Sequence, residues 1–406
     1  MKRYKIFFCI CILAFVSSCQ KVEKPSVHFI LEKQGLIVQL SGNVSDPNNE
    51  ILNGEVHWGD QSIGYFGMDE FQELQKTHHY ALPGTYRIKI QLLNSSGIVV
   101  KDSAEVKIDF LETSLSNVQS EFFTKTTNEF LVLTLNLHTY QEDNQNEKFN
   151  IIADVIGKLN IDFVAFQECA QNRNASMYSG NIRTDNMALK INEILEKKYN
   201  KHYEITWDWA HYGWQIYEEG ICILSKELPL EQESRIVSKS TSKEDITTRK
   251  VIYGAYQKFG RQFNIFSAHL HWRQSLNDEE QNNQIKALKA MAIEKEASSA
   301  DAITIVAGDF NGNPTSSYPY SEGYTTMVGN GDYIDAFLAK NPNANVIPAD
   351  PRYYTVGGSL PGRIDYIFIK NNDKVNVKAS QILFTNQVIG VVSDHFGVLT
   401  KLEVVQ

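Results

Sequence analysis

The sequence has few cysteines and no excess of basic charge, and each shortage excludes a class of protein. Five cysteines occur in 406 residues, and three of them lie within the first 19 residues. Only Cys169 and Cys222 remain beyond that segment, so no disulfide framework is predicted and both are expected to be buried thiols. The formal net charge is −9. A long nucleic acid is therefore not expected as the main ligand, because neutralising its phosphates needs clustered Lys and Arg.

Long apolar runs are also lacking, apart from one near the start. Residues 6–16, IFFCICILAFV, follow three basic residues and precede two serines and Cys19. Eleven apolar residues are too few to span a hydrocarbon core of about 30 Å. Residues 1–19 are therefore predicted to be a cleaved targeting segment. The run VSSC resembles a bacterial lipobox, which implies lipidation at Cys19 and a place in the cell envelope, lipid-anchored to a bacterial membrane outside the cytoplasm. An ordinary secretory leader is the alternative.

The length favours two domains beyond this leader, and the first has the pattern of a β-sandwich. Short alternating runs fill residues 27–110, among them VHFILE, LIVQLSG, YRIKIQLL and AEVKIDF. The pieces VHWGD and HHYALPGTYRIKIQL resemble the PKD family of Ig-like modules. That resemblance implies a spacer or docking unit, with glycan or protein as a possible contact. The polar residues 111–128 are predicted to be a linker.

Residues 129–406 alternate strands with amphipathic helices. Strands are predicted at FLVLTLNL, DFVAFQE, EGICILSK, RKVIYGAYQ, QFNIFSAHLHW, AITIVAG and VIGVVS. A long helix is predicted after Asn277, which precedes three acidic residues and is a suitable helix cap. Such high strand content predicts the α/β (α+β) class, with a four-layer α/β sandwich around two central packed β-sheets.

Polar side chains accompany these strands in a definite order. The segments TLNL, FQE, SAHL, GDFN, RIDYIF and SDH follow one another between residue 128 and the C-terminus. In this order they resemble the endonuclease/exonuclease/phosphatase superfamily, which has a deoxyribonuclease-like fold. The resemblance implies a metal-dependent phosphoric ester hydrolase. The polar residues concerned are Asn136, Glu168, His269, Asp309, Asn311, Asp365, Asp394 and His395.

The chemistry of phosphoesters accounts for these residue types. The negative phosphoryl group repels an attacking hydroxide, so a divalent cation is expected, Mg²⁺ or Mn²⁺. Glu168 is the best candidate ligand because such hard cations prefer carboxylate oxygen, and Asn136 is expected to orient the metal or a phosphoryl oxygen. An imidazole held by a carboxylate is an effective base near neutral pH, which predicts that role for His395.

The remaining roles are implied by the resemblance. It implies that Asp365 orients His395 while Asp394 lies near the metal, although the sequence alone does not distinguish the two aspartates. Asp309 resembles the residue that positions or deprotonates the attacking water, and Asn311 resembles the one that holds the phosphoryl group.

Two further basic side chains have alternatives. His269 resembles a histidine that hydrogen-bonds the phosphate or protonates the leaving group, and His271 is its competitor. Arg249 resembles an arginine that approaches the phosphate, with a surface cation in a β-hairpin as the alternative reading.

The substrate is the open question of the sequence. The aromatic run WDWAHYGWQIY, residues 207–217, is suited to stack on a sugar, a base or a lipid headgroup, or else to form a packed structural loop. Together with the net acidity it favours a small phosphomonoester such as a sugar phosphate. An extracellular nuclease or a sphingomyelinase-like phosphodiesterase is the alternative within the enzymes. A non-catalytic surface-binding lipoprotein is the alternative from another class.

Overall fold

The protein divides into two compact units, Met1–Asp109 and Phe110–Gln406. The computed structural model describes residues 23–297, 299, 301–314, 322–347, 349–358 and 361–405. The predicted leader and its lipidation site Cys19 lie outside the described residues. Within the described ranges, no helix is both long and apolar enough to cross a membrane.

The described residues of the first unit, 23–109, form seven antiparallel strands in two sheets. The strands are β1 (Ser26–Gln34), β2 (Ile37–Ser45), β3 (Asn53–His57), β4 (Ile63–Gly67), β5 (Leu74–His79), β6 (Gly84–Asn94) and β7 (Gly97–Ile108). One sheet has the order β1-β2-β5 and the other β4-β3-β6-β7. Alternate residues of β6, namely Ile88, Ile90 and Leu92, are fully buried. This sheet-rich unit is compatible with the predicted β-sandwich, and its likeness to PKD modules stays a prediction.

The second unit contains fifteen strands and five α-helices among its described residues. The strands are β8 (Glu129–Asn136), β9 (Phe163–Gln167), β10 (Gln171–Asn172), β11 (Met177–Ser179), β12 (Ile182–Arg183), β13 (Glu204–Gly213), β14 (Tyr217–Ser225), β15 (Pro229–Ile236), β16 (Lys250–Lys258), β17 (Arg261–His269), β18 (Ile303–Asp309), β19 (Tyr333–Asp335), β20 (Asp365–Lys370), β21 (Val375–Leu383) and β22 (Gly397–Val404). The helices are α1 (Gln145–Leu159), α2 (Met187–Tyr199), α3 (Glu280–Glu296), α4 (Glu322–Val328) and α5 (Ala336–Lys340).

Two large sheets form the centre of this unit. One has the order β10-β14-β9-β8-β22-β21 with β13 beside β14, and the other has the order β15-β16-β17-β18-β20-β19. A single apolar cluster joins them, with Phe130 and Val132 from one sheet and Phe263 and Ile265 from the other. On the opposite face of the second sheet, residues such as Phe266 pack with apolar residues of α3. The predicted sandwich of two packed central sheets is confirmed.

The structure differs from the sequence prediction in three local details. The apolar run VIGVVS before Asp394 is not a strand, because its residues form turns and an isolated bridge ahead of β22. The long helix α3 begins at Glu280, and the carboxylate of Asp278, rather than Asn277, accepts the backbone N–H of Glu280 at 3.1 Å. Most of the aromatic run is strand β13, where the prediction offered a loop.

Residues 111–128, predicted as a linker, lie within the second unit. Leu115, Val118 and Phe122 are buried, and Ser120–Phe123 form a short 3₁₀ helix. The backbone N–H of Thr113 donates to the buried Asp154 of α1 at 3.0 Å. Spacings of three and four residues between the apolar side chains account for this packing, and the polar composition concealed them.

Candidate active site

Strand direction gathers the predicted site residues at one rim of the two sheets. β8 and β9 run parallel with Asn136 opposite Gln167, so Asn136 and Glu168 reach the same end of one sheet. β17 and β18 are also parallel, and their last residues, His269 and Asp309, are paired. These four residues follow buried strands, as the sequence predicted.

Three further residues reach this rim from the starts of antiparallel strands. Asp365 is the first residue of β20 and pairs with Asp309. His395 comes just before β22, which is antiparallel to β8. Arg249 comes just before β16, which is antiparallel to β17. The sequence predicted Asp365 and His395 at strand ends, and the structure shows that the chain enters the sheet at all three residues.

A glycine permits the close approach that pairs His269 with Asp309. Gly308 has a φ of 147°, and a Cβ at this position would lie 2.0 Å from the carbonyl oxygen of Ala268. No other residue fits this conformation and this space. Gly308 therefore fixes the distance between the two strands directly before the site.

The rim encloses a cavity of about 490 Å³. Seven of the predicted residues line it: Glu168, Arg249, His269, Asp309, Asn311, Asp394 and His395. Asn136 and Asp365 lie behind them, and both are buried. The nine predicted residues therefore form one constellation.

Asp309 lies between two imidazoles at the centre of the cavity. Its Oδ2 is 3.8 Å from Nε2 of His395 and 3.7 Å from Nε2 of His269. Nδ1 of His395 lies 3.0 Å from Oδ2 of Asp365, whose side chain is fully buried. Nδ1 of His269 lies 4.0 Å from Oε1 of Glu219. Each imidazole therefore has a carboxylate behind it and turns its Nε2 towards Asp309.

The charges of these groups shift one another's titration. Burial and the charge of Asp365 raise the pKa of Asp309 to about 7. Burial disfavours a charged His395, but the charge and hydrogen bond of Asp365 outweigh it and raise the pKa of His395 well above its ordinary value. Burial, reinforced by the charge of Arg249, lowers the pKa of His269 well below its ordinary value. The two imidazoles thus differ: His395 tends to be charged and His269 neutral.

Glu219 is a site residue that the sequence prediction missed. Besides facing His269, it accepts a hydrogen bond from the Thr139 hydroxyl at 2.8 Å and lies 3.1 Å from Nε2 of His211. Burial alone would raise the pKa of Glu219, but the hydrogen bond and charge of His211, with the charges of His269 and Arg249, lower it to about 2. Glu219 lies inside strand β14, where no local signal marks it.

Asn311 and Arg249 are both fixed by their surroundings. The Asn311 backbone N–H donates to Oδ1 of Asp309 at 2.9 Å, and its side-chain amide donates to the carbonyl of Leu270 at 3.0 Å. Arg249 is buried, with 4% of its surface exposed, and its guanidinium donates to the carbonyl of Ile246 at 2.8 Å. Nε of Arg249 has no hydrogen-bond partner among the described residues. Arg249 is therefore a buried cation at the cavity and not a surface cation.

His271 is not part of the cavity lining that the structure describes. Strand β17 ends at His269, and Nε2 of His271 lies 2.8 Å from Oδ2 of Asp278 instead. The choice of His269 over His271 therefore agrees with the geometry.

The aromatic run divides between packing and the cavity. Trp207 is buried and donates from its indole N–H to the carbonyl of Cys169 at 2.7 Å. Trp209 lies under the ammonium group of Lys243, 3.3 Å from the ring centroid. Trp214, at the turn between β13 and β14, lines the cavity and is 63% exposed. Part of the run is therefore packed, while Trp214 is exposed at the cavity.

The donor set of the cavity fits a divalent cation. Glu168, Glu219 and His269 each offer a ligand atom within 4.8 Å of one another. The Asn136 amide donates to Oε1 of Glu168 at 3.0 Å, which holds this carboxylate in place. Burial, and then the charge of Glu219, raise the pKa of Glu168. A cation would relieve that repulsion, and carboxylate oxygen is the ligand hard cations prefer.

Asp394, which was also predicted near the metal, belongs to a separate group at the rim. Its Oδ1 lies 3.5 Å from Nδ1 of His138, which in turn lies 2.7 Å from Glu142. These three residues again offer ligand atoms within 4.8 Å of one another. Besides burial and Glu219, the charge of Asp394 also raises the pKa of Glu168, so the two carboxylates influence each other.

The two cysteines beyond the leader behave as the sequence predicted. Cys169 and Cys222 are free and buried. Burial and the neighbouring Cys169 thiol raise the pKa of Cys222 well above its ordinary value, so it is a packing group rather than a nucleophile.

Comparison with known proteins agrees with this arrangement. The model of the Endonuclease/Exonuclease/phosphatase family matches residues 133–395, more than half of the chain. A solved endonuclease/exonuclease/phosphatase family protein from Leptotrichia buccalis is 24% identical with a TM-score of 0.57, and the match covers 68% of this chain and 99% of that one. An endonuclease/exonuclease/phosphatase from Beutenbergia cavernae is 18% identical with a TM-score of 0.52, covering 68% and 72%. These structures show the shared fold. Among curated proteins, none matches the sequence.

Proposed function

Because the chain belongs to the endonuclease/exonuclease/phosphatase family, whose members are hydrolases of phosphoester bonds, we propose that it is a divalent-metal-dependent phosphoesterase acting on a small phosphomonoester such as a sugar phosphate. One observation carries the proposal: Asp309 lies between two carboxylate-backed imidazoles, beside the cation-suited Glu168. That set supplies a base, a proton donor and a metal ligand in one cavity.

Glu168 is the proposed principal ligand of Mg²⁺ or Mn²⁺, and Asn136 steadies it. When bound, the cation neutralises charge on the phosphoryl oxygens and stabilises the leaving oxygen. Asn136 also donates to Oδ2 of Asp309 at 3.3 Å, so the same amide connects the metal ligand with the group that positions water. A change at Glu168 is therefore expected to disturb Asp309 as well.

Asp309 and His395 act together as the base in this proposal. Asp309 orients the attacking water with a carboxylate oxygen, and Nε2 of His395 lies 3.8 Å from Oδ2 of Asp309, so one water can contact both groups. Asp365 holds the His395 ring by accepting from Nδ1, which fixes the tautomer and stabilises the charged ring. The sequence predicted His395 as the base, and the proposal extends that role to the pair of Asp309 and His395.

His269, Asn311 and Arg249 are the proposed groups that bind the phosphoryl oxygens. His269 is backed by Glu219 and presents Nε2 of a neutral ring to the cavity, so it is suited to hydrogen-bond a phosphoryl oxygen. Arg249 supplies a permanent positive charge from the neighbouring wall. Preorganised donors of this kind stabilise the charge that develops during phosphoryl transfer.

The charges around the cavity favour a small substrate over a polymer. Arg249 is the one Lys or Arg among the described residues that line the cavity, while Glu168, Glu219, Asp309 and Asp394 are acidic. A nucleic acid backbone needs a track of cations beyond the cleaved phosphate. A single phosphate needs only the cation and one arginine.

An adjoining cleft supports a phosphodiesterase as the second candidate. A hollow of about 440 Å³, lined by Val356, Val391 and Phe396 among others, shares Asp394 with the main cavity. A diester has two alcohol groups and would occupy both spaces, as in a nuclease or a sphingomyelinase-like enzyme. A monoester would occupy one.

Export, lipid anchoring at Cys19 and docking through the first unit complete the proposal. The basic and apolar leader with its VSSC run supports the anchor, and the strand pattern of residues 27–110 supports a PKD-like spacer. Acyl-chain labelling of wild type against Cys19→Ala separates a lipoprotein from an ordinary secreted protein.

Metal binding and turnover test the proposed function together. Glu168→Gln keeps the shape but removes the charge, so Mn²⁺ binding measured by titration calorimetry is expected to weaken at least tenfold. Purified wild type is expected to hydrolyse phosphomonoesters with Mg²⁺ or Mn²⁺ and to stop in EDTA. Asp102→Asn, in the first unit, is the matched control. Turnover that survives EDTA would contradict the metal dependence, and a wild type without activity on any phosphoester would leave the non-catalytic surface-binding lipoprotein as the better description.

A further inference from the structure

Three apolar side chains line the catalytic cavity, Trp214, Ile246 and Trp272. Two of them adjoin Arg249: the Arg249 guanidinium is 5.2 Å from the centroid of the Trp272 ring, and it donates to the carbonyl of Ile246 at 2.8 Å. We call these three residues the apolar patch.

The apolar patch exposes more hydrophobic surface than packing requires. Trp214 is 63% exposed and Ile246 is 53% exposed. Trp214 and Gln215 have φ values of 51° and 63°, in the left-handed region that bulky residues avoid. Backbone strain that places a large side chain in a cavity is typical of ligand-binding positions.

The loops that carry the patch are tied together. The Tyr212 backbone N–H, in the strand leading to Trp214, donates to the carbonyl of Lys243 at 2.8 Å. Thr248 donates from its hydroxyl to the carbonyl of Ser242 at 2.6 Å, which closes the loop that carries Ile246. Trp272 stacks on His271, with ring centroids 5.3 Å apart. The patch is therefore preformed, and a ligand does not have to order it.

We propose that the apolar patch binds the alcohol portion of the substrate and that this portion is a sugar ring. The inference rests on the proposed function and adds the chemical class of the leaving group. A sugar ring has an apolar face that would lie on the Trp214 indole and an edge of hydroxyl groups. With the phosphoryl group held by His269 and Arg249, the ring attached to it extends onto the patch.

The cavity lining also offers groups that suit hydroxyls. The side chain of Asp394 is 49% exposed, and that of His138 is 28% exposed. A carboxylate accepts hydrogen bonds from hydroxyls and repels further phosphates. A neutral ring rich in hydroxyls therefore fits better than a second phosphate group or an acyl chain.

The experiment compares substrates with and without a ring. The ratio of kcat/KM for a hexose monophosphate to that for glycerol phosphate is measured in wild type, Trp214→Ala and Trp214→Phe, with AMP as a base-bearing third substrate and ribose 5-phosphate as its base-free counterpart. In Trp214→Ala the ratio is expected to fall about tenfold, through KM, which corresponds to about 1.4 kcal/mol. Trp214→Phe keeps an aromatic face and is expected to restore the ratio to within about threefold. Tyr178→Ala removes another exposed aromatic, outside the cavity lining, and is expected to leave the ratio unchanged.

Failure of the patch and failure of the proposed function give different results. An unchanged ratio in Trp214→Ala, with an active wild type, overturns the patch alone. A preference for AMP over ribose 5-phosphate, with the KM for AMP raised in Trp214→Ala, places the base rather than the sugar ring on the patch and also overturns the proposal. Titration calorimetry with the hexose phosphate in EDTA reads binding without turnover. Binding that Trp214→Ala weakens, in a wild type that hydrolyses nothing, supports the patch and removes the proposed function.

Discussion

Replacing Asp365 by Asn tests the central arrangement of the site most directly. The substitution keeps the size of the side chain and removes its charge. Asp365 is fully buried, lies 3.0 Å and 3.2 Å from Nδ1 of His395, and does not line the cavity. Its effect on turnover is therefore expected to act through His395 and through Asp309, whose pKa is raised by burial and by the charge of Asp365, while substrate binding is expected to change little.

The size of the effect follows from the distance between the two charges. With the charge centres about 4 Å apart and an effective dielectric constant of about 20, a carboxylate stabilises a charged imidazole by about 4 kcal/mol. If that energy is lost from the transition state, kcat falls by roughly 10³-fold. Because the charge of Asp365 raises the pKa of His395, the variant should also lose that elevation. The limb of the pH–rate profile that reports His395 is expected to move to lower pH.

The assay is steady-state hydrolysis of a phosphomonoester at saturating Mg²⁺ between pH 5 and pH 10. Asp278→Asn is a matched control, because Asp278 lies 2.8 Å from Nε2 of His271 in a similar pair outside the cavity lining. The control is expected to change kcat less than about threefold. Thermal unfolding of both variants checks that they are folded.

A folded Asp365→Asn enzyme with kcat within about threefold of wild type would refute the reasoning. So would equal losses in Asp365→Asn and Asp278→Asn, because the effect would then be structural. A loss confined to KM would place Asp365 in substrate binding instead.

Two further predictions concern carboxylates that only the structure identified as important. Glu219→Gln should lower kcat by roughly tenfold, which is less than the loss expected for Asp365→Asn. The reason is that the pKa of His269 is lowered, and a neutral ring gains less from a facing charge. A loss as large as that of Asp365→Asn would contradict this difference. Asp154→Asn should lower the free energy of unfolding by about 3 kcal/mol at pH 7, since this buried carboxylate pairs with Lys198 at 2.5 Å and accepts from Tyr199 at 2.7 Å. Burial raises the pKa of Asp154, but these contacts outweigh it and hold the pKa below its ordinary value. The stabilisation that Asp154 provides is therefore present above the pKa of the unfolded state and is lost as the pH falls through the pKa of the folded state. Urea unfolding should therefore show a smaller difference in the free energy of unfolding between wild type and Asp154→Asn at pH 3 than at pH 7. An equal difference at both pH values would count against this pH dependence.

Much of the site could be predicted from the sequence because its residues adjoin buried strands. Asn136, Glu168 and Asp309 each come at the end of an apolar run, where a polar side chain stands out. The same rule was wrong for Asp394 and His395, since the apolar run before them forms turns. Their position depends on the strand that follows, β22, and on its antiparallel pairing with β8.

Glu219 shows why the rest could not be predicted. It lies beside Glu218 in β14, and successive side chains of a strand point to opposite faces. Glu218 pairs with Arg183 on one face, at 2.9 Å, while Glu219 meets His211 and His269 on the other. Nothing in the local sequence distinguishes the two glutamates, because the choice depends on the register of β14 against its neighbours.

The sequence by itself determined the family of chemistry: which acids, amides and imidazoles are available, and that most of them adjoin strands of one sandwich. Tertiary structure decided the working geometry. Antiparallel pairing turned the starts of β16, β20 and β22 towards the ends of β17, β18 and β8. The alternation of side chains along β14 and the register of that strand then placed Glu219 at the cavity. The turn between β13 and β14 placed Trp214 there. Local sequence sets what each strand can present, but contacts between segments more than one hundred residues apart set where it is presented.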